Sequence, residues 1–266
     1  METMSARKRL PLFRIAYSLL ILLVASMAAS PTPAEGQQAA DVEPKADQIL
    51  RKSSDFLDTL KQFQIDADGT SDHLLSTGQK LQHAESIVAA VQRLDRLRVE
   101  IKGERRNLRL IYDGKKISLL DTDHNFYAQT AVPATIDEAL RHAVDHFGIR
   151  APLSELLYTN SYAVLSENVE SGFYVGKSVV RGVKTDHLAF RTDEVDWQIW
   201  IEDSRTPLPR KLVITLKWMT AAPQYTVWLS WDLSPKWSDS FYTFIPPANA
   251  RKIDFWPIPQ GAPPKR

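Results

Sequence analysis

Apolar positions along the chain follow three rhythms, and each predicts a different kind of element. From Ile15 to Val24 they are nearly continuous. A basic start (Arg7, Lys8, Arg9, Arg14) precedes that run, and small residues follow it, Ala25-Ser26-Met27-Ala28-Ala29. This succession predicts a cleaved secretory signal peptide over residues 1–29. The apolar core is shorter than the ~20 residues a bilayer span needs, which disfavours the alternative of an uncleaved anchor.

From Ala46 the period becomes three and four. Ala46, Ile49, Leu50, Ser53, Phe56, Leu57 and Leu60 form one stripe, predicting an amphipathic helix over 44–61 with Pro44 in its first turn. The period then falls to two. In Arg96-Leu97-Arg98-Val99-Glu100-Ile101-Lys102 apolar and charged residues alternate, as in a strand with one face buried and the other wet. Further strands are predicted at 107–112, 116–120 and 126–130, with Asp113-Gly114 as a hairpin turn. Upstream, 62–72 and 79–90 suit another strand pair, although Ala84–Val91 also fits a helix.

Thr135 and Glu138 form a capping box before the apolar face of Ile136, Leu140, Ala143, Val144 and Phe147, and Gly148 supplies the stop. Short helices are predicted at 152–158 and 161–166. Strands resume at 172–177, 185–191, 197–202, 210–218 and 225–232, and Leu212, Ile214, Leu216 and Trp218 read as one buried face. Eight to ten strands with a few helices predict an α+β fold: a large curved antiparallel sheet covered by helices. Residues 43–255 form its single domain, between a disordered leader (30–42) and a flexible Pro-rich tail (256–266).

Composition narrows the function. Removing residues 1–29 leaves 29 Lys/Arg against 31 Asp/Glu, so the formal charge goes from +1 to −2. No basic footprint for nucleic acid remains. The chain has no cysteine, which excludes thiol nucleophiles, thiolate metal sites, disulfides and a lipid-modified anchor. A soluble periplasmic protein without a stable membrane anchor is expected.

Candidate chemistry is sparse. His142 and His146 share a helical face, but no third metal ligand accompanies them. No Gly-x-Ser-x-Gly elbow occurs, and acid pairs such as Glu194/Asp196 are ordinary surface features. A non-enzymatic protein without metal or cofactor is expected. More informative is that all seven tryptophans lie at or beyond position 197. Trp197 and Trp200 fall on opposite faces of one strand, as do Trp228 and Trp231. Plain core packing accounts for one face; an apolar groove for acyl chains or a hydrophobic protein segment is the functional alternative.

Four motifs in order carry a family resemblance. Gln92-Arg93-Leu94-Asp95-Arg96-Leu97-Arg98 resembles the "R-P-x-x-[LF]-R" strand of the LolA/LolB-like periplasmic lipoprotein carriers. Asp113-Gly114-Lys115 with Leu120-Asp121 is similar to their "D-G-K" hairpin. Trp197–Glu202 with Pro207-Leu208-Pro209-Arg210-Lys211-Leu212 is similar to their "W-I-D…G-L-P-x-[KR]-L" hairpin, and Phe244–Ala250 to their "F-x-P-P-x-G-A". The chain resembles more closely still an uncharacterised family of predicted periplasmic proteins placed in that superfamily.

The resemblance implies an incomplete β-barrel whose concave side is lidded by helices and whose hollow takes lipoprotein acyl chains. It further implies that an arginine of the "R-P" motif helps hold the lid closed. Arg93 occupies that position, and Leu94 stands where the proline would be. The residues expected at the ligand are Arg93, Phe190, Trp197 and Trp218. The candidate partners are a lipid or lipoprotein cargo or, in an interaction or sensory protein, a peptide or envelope protein. An unrecognised hydrolase is the remaining alternative.

Overall fold

The computed structural model describes residues 41–149 and 153–255. The expected signal peptide, most of the leader and all of the tail lie outside them. The chain enters through a two-residue strand, β1 (Asp41–Val42), and turns at once into α1 (Pro44–Thr59). An antiparallel meander follows: β2 (Gln62–Leu74), β3 (Lys80–Gln92), β4 (Arg96–Gly103), β5 (Asn107–Tyr112), β6 (Lys116–Asp121) and β7 (Phe126–Ala131). Then come α2 (Ile136–Phe147), a 3-10 turn at Ser154–Leu156 and α3 (Ser161–Leu165). The second meander is β8 (Ser171–Val180), β9 (Val183–Arg191), β10 (Val195–Glu202), β11 (Pro209–Leu216) and β12 (Gln224–Asp232), and β13 (Arg251–Ile253) closes the described chain.

All these strands belong to one sheet, ordered β1-β8-β9-β10-β11-β12-β2-β3-β4-β5-β6-β7-β13. It is open and curved, and every pairing is antiparallel except β1/β8 and β13/β7 at its two ends. The two meanders join where β12 runs against β2, from Tyr225 opposite Ser71 to Asp232 opposite Gln64.

Local chemistry accounts for the elements. In β4 the alternation buries Leu97, Val99 and Ile101 and turns Arg98, Glu100 and Lys102 to the other side. The β5–β6 turn has Gly114 at φ 86°, while the Asp113 carboxylate accepts from the backbone N–H groups of Lys115 and Lys116 at 3.0 and 2.9 Å. At the start of α2, Glu138 N–H donates to Thr135 Oγ1, and that hydroxyl donates to the Glu138 carboxylate. Gly148 ends the helix at φ 65°. The segment Ala84–Val91 is strand, paired along its length with β2.

One face of the sheet and the apolar faces of α1 and α2 form a single core, including Leu50, Leu57, Ile65, Val99, Leu140, Leu157, Phe190, Trp197 and Leu229. The opposite face is treated differently in its two halves. Over β4 and β7 it carries the chain beyond β12: Arg98 donates to Phe241 O at 3.0 Å, and Phe244 packs on Tyr127 at 5.4 Å. Over β8–β12 it carries a small cluster of Val180, Trp200, Val213 and Trp228. His187 stacks on Trp200 at 3.9 Å, Lys211 Nζ sits 4.4 Å from that ring, and Arg181 lies over Trp228. Trp200 and Trp228 thus sit under their neighbours' cationic and imidazole side chains rather than under a helix.

Candidate ligand site

Phe190 stands on the inner face of β9, directly opposite Gly172 on β8 and Trp197 on β10. Its ring stacks on Trp197 at 4.3 Å. On the other side it lies against bare backbone: a Cβ at Gly172 would come within 2.4 Å of Phe190 Cδ1. Glycine is what lets the ring lie flat across the strand.

Facing Phe190 across a cavity of about 310 Å³ are the start of α1 and the segment through α3. The lining is Val42, Asp47, Leu50, Tyr162, Ser166, Val169 and Phe190. Leu50 reaches the cavity through the helical period, and Asp47, three residues earlier, lies one turn back toward the helix start. The Tyr162 hydroxyl donates a short hydrogen bond to the Asp47 carboxylate, joining α3 to α1. Arg51 flanks the pair, 3.7 Å from Asp47 and with its guanidinium carbon 3.8 Å from the centre of the Tyr162 ring. Burial and the bond to Asp47 push the Tyr162 phenol above its ordinary range. The Ser166 hydroxyl donates to Tyr162 O at 2.7 Å.

A second polar cluster fastens the other end of α1. Arg93, in the β3–β4 turn, donates to Leu60 O at 3.1 Å, Leu157 O at 3.0 Å and Thr159 Oγ1 at 3.3 Å. Asp137, in the first turn of α2, accepts from Thr159 N–H, and Asp58 of α1 accepts from Ser161. Burial lowers the Arg93 pKa against the opposing pull of Asp58 and Asp137, and burial raises that of Asp58. One arginine therefore ties the end of α1 to the 157–159 segment.

Of the four residues singled out from sequence, Phe190 lines the cavity, Trp197 backs it and Arg93 sits at the far end of α1. Trp218 lies elsewhere: β11 ends at Leu216, and Trp218 is 48 % exposed in the turn that follows. The uninterrupted buried face expected from Leu212 to Trp218 therefore stops two residues early. Sequence reasoning missed Asp47, Tyr162 and Gly172. The glycine inside a strand was the available signal, since such glycines mark a close approach. His142 and His146 stack at 3.9 Å on α2, and among the described residues no three His, Asp or Glu side chains gather as a metal site.

Solved structures with a similar course of the chain share little sequence with it. An uncharacterised conserved protein from Thermus thermophilus has 10% identity and a TM-score of 0.47, over 79% of this chain and 99% of that one. The lipoprotein LppX from Mycobacterium tuberculosis has 12% identity and a TM-score of 0.42, over 73% and 98%. A LolA superfamily protein from Nitrosomonas europaea has 11% identity and a TM-score of 0.33, over 75% and 97%. No curated protein matches the sequence. A family model does: residues 46–256 match the one described as predicted periplasmic protein (DUF2092), and the chain belongs to that family.

Proposed function

We propose that the mature protein, freed of residues 1–29, is a soluble periplasmic binding protein that holds a hydrophobic ligand between its helices and the concave side of its sheet. The observation that carries this reading is the cavity floored by Phe190, of about 310 Å³, at the lower end of the range for small-molecule sites. The apolar faces of α1 and α2 pack into the core against the same sheet, and a site of this size suits one slender chain. A ten-carbon chain buried there offers roughly 8 kcal/mol before the costs of ordering it. Arg93 and the Asp47–Tyr162 pair, at opposite ends of α1, hold the cover down once the ligand is in.

The test is mass spectrometry of an organic extract of the mature protein purified from periplasm without detergent. An acyl-bearing molecule at near-stoichiometric amount is expected, and a Leu50→Trp variant, which fills the cavity, should carry none. An empty extract, together with no uptake of added acyl compounds, would sink the reading.

One observation favours a second reading, capture of an envelope protein segment. Among the described residues β8 pairs with β1 only through Ser171 and Gly172, while Phe173, Val175 and Val179 are 56%, 48% and 65% exposed. An extended peptide adding to that edge would leave the extract lipid-free and would protect β8 amides from hydrogen exchange.

A further inference from the structure

We infer that the cavity reads the head group of its ligand: it takes single-chain amphiphiles that bring hydrogen-bond donors, such as an alcohol or an ammonium group, and refuses the carboxylate of a free fatty acid. This rests on the hydrophobic-ligand reading above and adds a chemical class to it.

Polar side-chain atoms in the cavity wall set which head group it can hold. Three lining side chains carry them: Asp47, Tyr162 and Ser166. The Tyr162 proton is committed to Asp47, and the Ser166 proton is committed to Tyr162 O. What each hydroxyl still offers is lone pairs. The Asp47 carboxylate donates nothing and has about four acceptor sites, of which Tyr162 takes one. Arg51 is the nearby donor, but its guanidinium stacks on the Tyr162 ring, its side chain is half exposed, and it is not part of the lining.

The polar wall therefore presents acceptors, one of them charged, and the remaining walls are Val42, Leu50, Val169 and Phe190. An incoming hydroxyl or ammonium finds partners there. A carboxylate finds none among these side chains and meets the like charge of Asp47.

Three probes with one chain and different heads separate the possibilities: decan-1-ol, decylammonium and decanoate, titrated calorimetrically into the mature protein near neutral pH. The alcohol and the ammonium should bind tighter than decanoate by roughly tenfold or more. Asp47→Asn, which replaces the carboxylate with an amide that can donate, should narrow that gap. Leu50→Trp should abolish binding of all three and so show that they share this cavity. Where Asp47→Asn fails to fold, Tyr162→Phe serves instead: it leaves Asp47 an acceptor, so decanoate should still be refused.

Decanoate binding as well as the alcohol would overturn the inference while leaving a hydrophobic-ligand site standing. If that binding disappeared in Arg51→Gln, the head would be read by the guanidinium instead. Failure of all three probes to bind would overturn the underlying reading along with this one.

Discussion

Arg93 contributes more to this molecule than its place in a turn between two strands suggests. Its guanidinium satisfies two backbone carbonyls, Leu60 O and Leu157 O, that belong to the end of α1 and to the chain ahead of α3. A methionine there matches the length of the stem but leaves both carbonyls without that donor. Hydrogen bonds from a charged group are worth more than neutral ones, so Arg93→Met should cost roughly 2–3 kcal/mol in urea denaturation. Amide exchange should rise most at 157–161, where Thr159 and Ser161 depend on the same cluster. An unchanged midpoint would mean that the helical cover does not rely on this arginine.

His187 makes a different kind of contribution, one that depends on pH. Burial against Trp200 holds its imidazole below the ordinary 6.5, with Lys211 pushing the same way and the hydrogen bond with Gln198 pulling back. The unfolded chain therefore binds the proton more readily than the folded one. The neutral stack's contribution is fully present above the unfolded value and is lost as the pH falls below it. His187→Gln keeps a polar partner for Gln198 and has no titration there. Its melting temperature should fall less between pH 7 and pH 5 than that of the wild type, and taking the difference between the two proteins cancels the other titrating groups. Parallel pH profiles would show that the stack gains nothing from being neutral.

At the scale of elements, β8, β9 and β10 work as one layer in which glycine, phenylalanine and tryptophan are stacked across the strands. Gly172→Ala would put a methyl within 2.4 Å of Phe190 Cδ1, and Trp197 blocks the ring from sliding along the sheet, which leaves only the cavity side. Overpacking of this sort costs about 1–3 kcal/mol. The variant should be destabilised by that order in a thermal melt and should also lose ligand, since Phe190 is pushed toward the cavity. A fully stable Gly172→Ala protein would mean that the strand bends easily at this point.

The same scale separates what was legible in the sequence from what was not. The α1 stripe, the α2 capping box and the strict alternation of β4 each follow from one buried face, and each lies where it was expected. β3 was ambiguous because its alternation fails: Ala89 and Ala90 are both buried, on opposite faces, and small residues blur the pattern further. β1 and β13, two and three residues long, are too short to show any period. Trp218 misled because alternation names a face only while the strand lasts, and the turn after Leu216 ends it. The cavity was largely illegible: Asp47, Tyr162, Gly172 and Phe190 come from four separate segments, and only the fold shows that they meet.

For the whole molecule, the decisive feature is the junction between β12 and β2. Each meander alone would expose a long strand edge, and pairing the two turns both edges into sheet interior. Side chains cross the same seam: Trp231 packs on Phe63 at 5.6 Å, and Arg181 pairs with Asp68 at 2.8 Å. The core is likewise shared, running from Ile65 and Val99 of the first meander to Leu188 and Leu229 of the second. The chain should therefore unfold as one unit rather than as two. Tryptophan offers a clean probe, because all seven lie at or beyond position 197 and report on the second meander and the chain after it. Far-ultraviolet circular dichroism reports on both meanders. Urea transitions followed by the two signals should coincide, with one midpoint and one slope. A fluorescence transition displaced from the dichroism transition would show that the β12–β2 seam opens first and that the meanders hold together separately.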